Sequence, residues 1–159
     1  MTNCATYDDV NLLLRLYDLR REERMRKARD WFAANFHAKN LEELNRICPS
    51  GSEENASFRM VVTYWDMAAT FITGGVLHQE LFFQSGRELL VVWERLRDLL
   101  PAYRESRSDP AVFENIEKVA KSYGEWMNER APGSYDAFSK RVRGGEGLTA
   151  RRPASGFSP

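Results

Sequence analysis

Residues 56–73 read ASFRMVVTYWDMAATFIT, and the reading of this stretch decides the fold class. Between Phe58 and Thr73 only Arg59 and Asp66 carry charge. At about 100° per residue, Arg59, Thr63, Asp66 and Thr70 gather into one narrow stripe, and the other positions are apolar, small or aromatic. A helix with so wide an apolar arc has to be covered on most sides, which places it at the centre of a helical bundle. Gly74 and Gly75 follow it, as a left-handed C-cap requires.

Working outward toward the N-terminus, the polar residues 49–55 form a loop, and residues 41–47 a short helix. Asn40 is its N-cap, with Glu43 three residues on, where a capping-box carboxylate belongs. Residues 7–36 keep helical spacing throughout and predict one long helix. Its stripe runs from Val10, Leu13, Leu14 and Tyr17, through Arg21 and Arg24, to Met25, Ala28, Trp31 and Phe32. Leu12, Leu16 and Leu19 make a second apolar line on roughly the opposite side.

Toward the C-terminus, residues 78–100 predict a helix with Phe82, Leu89, Val92, Trp93 and Leu96 on its core face. Gly86 beside that face permits a close approach, and Pro101 breaks or kinks the helix. Asp109-Pro110 reads as an N-cap and first position. The helix it opens, to about residue 129, has Ile116, Val119, Tyr123 and Trp126 on one face. Glu114–Lys118 and Glu117–Lys121 pair on the other. Residues 134–142 add a last short helix. There is no internal repeat and no period-2 strand pattern. The expected architecture is all-α: an antiparallel helical bundle of four or five main helices with short accessory helices. A single domain spans residues 1–143, and a flexible tail spans 144–159. Trp31, Trp65, Trp93 and Trp126 should all be substantially buried.

Composition narrows the function classes. The 159 residues are 43% hydrophobic and 29% charged, the balance of a folded chain with one core. Lysine and arginine number 23, as do aspartate and glutamate. That lacks the basic excess from which phosphate-binding affinity comes, so no nucleic-acid partner is expected. Cys4 and Cys48 read as reduced thiols of a cytoplasmic protein, because residues 1–9 contain Asp8 and Asp9 and no apolar export segment. The uncharged run 67–77 falls well short of the roughly 20 residues that span a bilayer, so no membrane span is expected.

The usual catalytic constellations are missing. Neither His37 nor His78 has a glutamate three residues before it; Ala34 and Gly75 stand there. The Glu-x-x-His signature of carboxylate di-metal bundles is therefore absent. There is no zinc spacing, no phosphate loop and no nucleophile elbow. No metal, cofactor or catalytic residue is expected. Several groups keep two readings. Asp66 and Arg59 belong either to a wet strip of the central helix or to a buried polar seam in which Arg21 or Arg24 pairs with Asp66. Residues 15–29, with seven basic side chains and three acids, are either an anion site or a solvated face laced with Glu22–Arg26 and Glu23–Lys27 pairs. The line Leu12, Leu16 and Leu19 is covered either by a second copy in a homodimer or by Tyr135, Phe138 and Val142 folding back. His78 is a helix-start flank, with Leu77 stapled against Phe82. In the other reading it joins Tyr64, Trp65 and Trp93 in an aromatic pocket gated by Arg104. Two functions follow. One is a non-catalytic interaction or regulatory module that binds an unidentified protein partner through a helix surface. The other is a small-ligand binder or enzyme with that pocket between helices.

A series of short motifs carries a resemblance. It runs Trp65-Asp66, Gly75-Val76-Leu77, Glu80-Leu81-Phe82-Phe83, Trp93-Glu94-Arg95-Leu96 and Pro101-Ala102-Tyr103-Arg104. Over roughly residues 10–127 the chain resembles a family of small bacterial all-helical proteins known only as a domain of unknown function. Some of its members carry a membrane helix ahead of the domain, and no such stretch is read in this chain. The resemblance implies a helical fold and a bacterial origin, and it brings no activity and no catalytic residue.

Overall fold

The computed structural model describes residues 4–144, which form nine helices and no strand. The central one is α4 (Glu53–Thr73), as its composition requires. Ser52 caps its start by accepting from the Asn55 amide, and Gly75 at φ +72° closes its end. Phe58, Val61, Val62, Trp65, Ala68, Ala69 and Ile72 are buried along it. Each large side chain of that set contributes roughly 1.5–3 kcal/mol of burial. Its principal neighbours are α2 (Glu23–Asn35) and α8 (Glu114–Arg130).

The single long helix expected over residues 7–36 is two helices, α1 (Tyr7–Arg21) and α2. Glu22 between them leaves helical geometry, and its carboxylate accepts from the amides of Arg24 and Met25, both at 3.0 Å. It is therefore the N-cap of α2. The break lets the two halves turn independently. The stripe Met25, Ala28 and Phe32 faces the core as expected, but α1 is not in phase with it. In α1 the buried residues are Asp9 and Leu16, with Leu12 and Leu13 half-buried, while Val10, Leu14 and Tyr17 face outward. Arg21 and Arg24 are exposed and interrupt no buried stripe.

After α3 (Leu41–Ile47), the loop and α4, the helix read over residues 78–100 is likewise divided. Its parts are α5 (Gln79–Phe83), α6 (Glu88–Leu96) and the beginning of α7 (Leu100–Arg107), which carries Pro101 in its first turn. The helix expected from Asp109-Pro110 starts at Glu114 instead. Asp109 accepts from the Ala111 amide in a turn, and Phe113 takes a left-handed conformation at φ +55°. Last, α9 (Ser134–Arg143) packs principally on α6 and α8, so Tyr135, Phe138 and Val142 are spent there rather than over α1. Trp65 and Trp93 are buried and Trp31 and Trp126 half-buried, as their helical faces require. The expected tail lies, beyond Gly144, outside the described residues. No helix among the described residues is long and apolar enough to cross a membrane.

Candidate functional site

Where α1 lies over α4, the two do not close on each other. Between them is a cavity of about 370 Å³, at the lower end of the range of small-molecule sites, roughly 300–1,000 Å³. Its walls come from three places. Leu13, Leu16 and Arg20 descend from α1, Tyr64 and Trp65 rise from α4, and Phe82 stands across from them on α5. Leu14 and Tyr17 also border it, though both are largely exposed. Gly86 completes it, because a methyl group at that position would come within 2.4 Å of the Phe82 ring.

The polar groups of this cavity divide into spent and unspent. Tyr64 is spent: its hydroxyl donates to the Leu16 carbonyl at 2.5 Å, and burial pushes its pKa up to about 12. Trp65 is 3% exposed, yet among the described residues its indole Nε1 has no hydrogen-bond partner. Arg20 also has a buried Nε with no partner among the described residues. Its guanidinium lies 5.1 Å from the Tyr17 ring centre and 5.7 Å from that of Trp65. Glu88 is the nearest counter-ion, but Arg29 grips both its oxygens, at 2.6 and 2.5 Å. Arg20 reaches it only at 3.5 Å.

Of the five residues assigned to an aromatic pocket from the sequence, Tyr64 and Trp65 meet there and three do not. His78 caps α5, accepting from the Leu81 amide at Nδ1, 3.2 Å, while its own amide donates to Asp9 at 2.6 Å. Thr6 also donates to Asp9 from its amide and hydroxyl, and these bonds hold the Asp9 carboxyl below the usual range. Trp93 lies in α6 beside Tyr135 of α9. Arg104, in α7, donates to the Val112 carbonyl at 2.9 Å and pairs with Glu117 at 2.8 Å. Sequence reasoning missed Leu13, Arg20 and Phe82 as walls of one site, because that conjunction depends on how α1 turns after the break at Glu22.

The polar seam comes apart in the same way. Arg21 stacks on Tyr17 at 5.3 Å, Arg24 and Arg59 are exposed, and none of the three reaches Asp66. Half-buried Asp66 accepts from the Ile116 amide at 3.1 Å instead, and its carboxyl is raised by burial against the opposing pull of those backbone bonds and of Arg104. Of the basic run, Lys27 pairs with Glu23, while Arg20 and Arg29 turn to Glu88.

A second cluster joins α6 to α9. Glu94 is buried and accepts from the Tyr135 hydroxyl and from Ser139 Oγ at 2.7 Å. Arg97 and Arg143 stand 3.4 and 3.9 Å away. Beside it, buried Arg95 donates to the Phe36 carbonyl at 2.8 Å and covers the end of α2. Burial and Arg95 together lower the pKa of His37. Every oxygen in this cluster is engaged, which makes it a clamp between elements. Among the described residues no group of histidines, cysteines and carboxylates has the arrangement to hold a metal ion.

Comparison with curated proteins and with solved structures gave no match for this chain. Residues 5–126, from the strand of chain before α1 to the last turn but one of α8, match a family described as a domain of unknown function, DUF4760, and the chain belongs to that family.

Proposed function

We propose that this domain is a non-catalytic interaction module that works through the outer face of α1, and that the surface pairs with a second copy of the chain. The observation that carries this reading is a stripe of exposed apolar side chains at helical spacing. Tyr7 is 79% exposed, Val10 40%, Leu14 55% and Tyr17 45%. Contiguous exposed apolar strips, unlike singly exposed residues, mark contact surfaces. It replaces the line Leu12, Leu16 and Leu19, of which Leu16 is buried, Leu12 half-buried and only Leu19 fully outside.

The stripe suits its own copy. Leu14 lies midway between Tyr7 and Arg21, so antiparallel two-fold pairing about Leu14 brings the Tyr7 end of one helix to the Arg21 end of the other. Arg21 already lies 5.3 Å from one tyrosine ring, and Tyr7 offers it another across the axis. A cytoplasmic setting, a bacterial source and a regulatory role with a further, unidentified protein partner belong to the same reading. Sedimentation and light scattering from about 1 to 100 μM test it, because a dimer's population follows concentration. The wild-type chain is expected to dimerise, and Leu14→Glu to be monomeric with unchanged helical circular dichroism. A wild-type monomer at the highest concentration ends the reading.

A further inference from the structure

The cavity beneath α1 is a site in its own right, and its unmet groups specify a ligand class. Both are donors. An indole N–H can only donate, and so can a guanidinium N–H. Trp65 Nε1 is enclosed in a residue only 3% exposed and has no acceptor among the described residues. Leaving such a group unpaired costs roughly 1–3 kcal/mol, and native structures seldom do so without a reason. Arg20 adds a second unmet donor, Nε, and a charge whose ion-pair partner among the described residues, Glu88 at 3.5 Å, is already held at both oxygens by Arg29. The rest of the wall is mostly apolar, with Leu13, Leu14, Leu16 and the ring of Phe82, and its one further uncommitted polar side chain is Ser85, exposed at the edge. A neutral hydrocarbon would fill those walls and leave both donors unpaired. A multiply charged anion would satisfy the donors and be stranded against apolar carbon.

We infer that the α1–α4–α5 cavity binds a compact amphipathic monocarboxylate, its carboxylate on Arg20 and Trp65 Nε1 and its apolar body against Leu13, Leu16 and Phe82. The carboxylate suits a guanidinium best, since the pair forms charge-assisted hydrogen bonds. The volume of about 370 Å³ limits the body to an aromatic ring or a short aliphatic chain. The inference does not rest on self-association, since its donors are Arg20 and Trp65, but Leu14 and Tyr17 border both the cavity and the outer stripe, so the titration is read at a concentration where the chain's oligomeric state has been measured.

Protein-observed NMR tests it directly. The chain has four tryptophans, so four indole N–H signals report on four sites, and Trp65→Phe identifies the one that matters. Phenylpropionate and octanoate, titrated to about 10 mM at neutral pH, are expected to move the Trp65 indole signal and leave those of Trp31, Trp93 and Trp126 in place. The corresponding alcohols, phenylpropanol and octanol, are expected to bind at least about tenfold more weakly, the scale of one charge-assisted bond. Arg20→Gln is expected to weaken the acids by a similar factor and leave the alcohols unchanged. A Trp65 signal that stays still overturns the inference, as do acids and alcohols that move it equally. The acid–alcohol comparison uses only the wild-type chain, so a poorly folded Arg20 variant does not shelter the idea.

Discussion

Asp66 offers the sharpest test of how this bundle is held together. The helix α8 begins without a cap of its own: the position before it is Phe113, left-handed and offering no side-chain acceptor. The first amides of a helix need acceptors from elsewhere. Asp66 supplies one from α4, accepting from Ile116 at 3.1 Å, with the Asn115 amide as a second donor. Asp66→Ala removes an N-cap, which costs about 1 kcal/mol typically. Unpaired half-buried amides would raise that figure, but the alanine also relieves the desolvation of a carboxylate whose pKa is already raised. The two corrections oppose each other and leave about 1 kcal/mol at neutral pH. For a domain of this size that is a fall in Tm of roughly 2–4 °C. Asp66→Asn keeps a carbonyl acceptor and should lose less. The pH dependence follows from the direction of the shift. Burial raises the folded-state pKa above the ordinary 3.8, so the folded protein holds this proton more tightly than the unfolded chain. The stability so gained is fully present below the unfolded value and is lost as pH rises through the folded one. Asparagine does not titrate, so the wild type should lose ground to Asp66→Asn as pH climbs from about 3 to 7. Urea unfolding of all three proteins across that range measures it. A wild-type advantage over asparagine that grows with pH refutes the reasoning. So does an alanine variant whose Asn115 and Ile116 amides exchange hydrogen no faster.

Two further outcomes follow from the clamp and the thiols. Glu94→Ala leaves the Tyr135 hydroxyl and Ser139 Oγ without their acceptor in a buried place and should cost about 3 kcal/mol in urea unfolding; a loss below about 1 kcal/mol would mean that α9 is held by apolar packing alone. Cys48 is buried, and burial with nearby Glu54 pushes its thiol up to about 11, whereas Cys4 is exposed. Iodoacetamide at pH 8 should therefore label the native chain once, at Cys4, and rapid double labelling would contradict the packing around Cys48.

What could be read from the sequence was whatever is decided locally. The wide apolar arc of residues 56–73 placed α4 at the centre without any knowledge of its neighbours. Asn40 was legible as a cap because its acceptor and the Glu43 amide are three residues apart, 2.9 Å in the structure. Gly75 was legible because a positive φ at a helix end suits glycine. Illegible features depended on competition between distant groups. Nothing about Glu22 marks it as a helix stop, since glutamate is a good helix former. It acts as one because bending there lets Leu16 and Phe32 both reach the core. Once that break is missed, the phase of α2 is carried into α1, and the wrong leucines are taken for the outer line. Asp66 shows the same limit, as its partner comes from 50 residues away. Of the site, the aromatic floor Tyr64 and Trp65 was legible and the Arg20 wall was not.

The same break explains why a cavity survives beside a well-packed core. A helix held by interdigitated side chains closes onto its neighbour, because each contact is gained only by removing space. Much of what fixes α1 is of another kind. Its first turn is tied through Asp9 to the His78 amide at 2.6 Å. Its middle is tied through the Leu16 carbonyl to the Tyr64 hydroxyl, and its end through the Arg20 carbonyl to Arg29 at 3.0 Å. Directional bonds of this sort set where a backbone lies without filling the volume beneath it. Three of them along a 15-residue helix hold α1 at a fixed height over α4, and side chains no larger than Leu13 and Leu16 leave the remaining space between the tethers. The outward stripe has the same origin. A helix suspended at this height turns its polar anchor Asp9 inward, and with Asp9 and Leu16 inside, the geometry of 3.6 residues per turn leaves Val10, Leu14 and Tyr17 no direction but out.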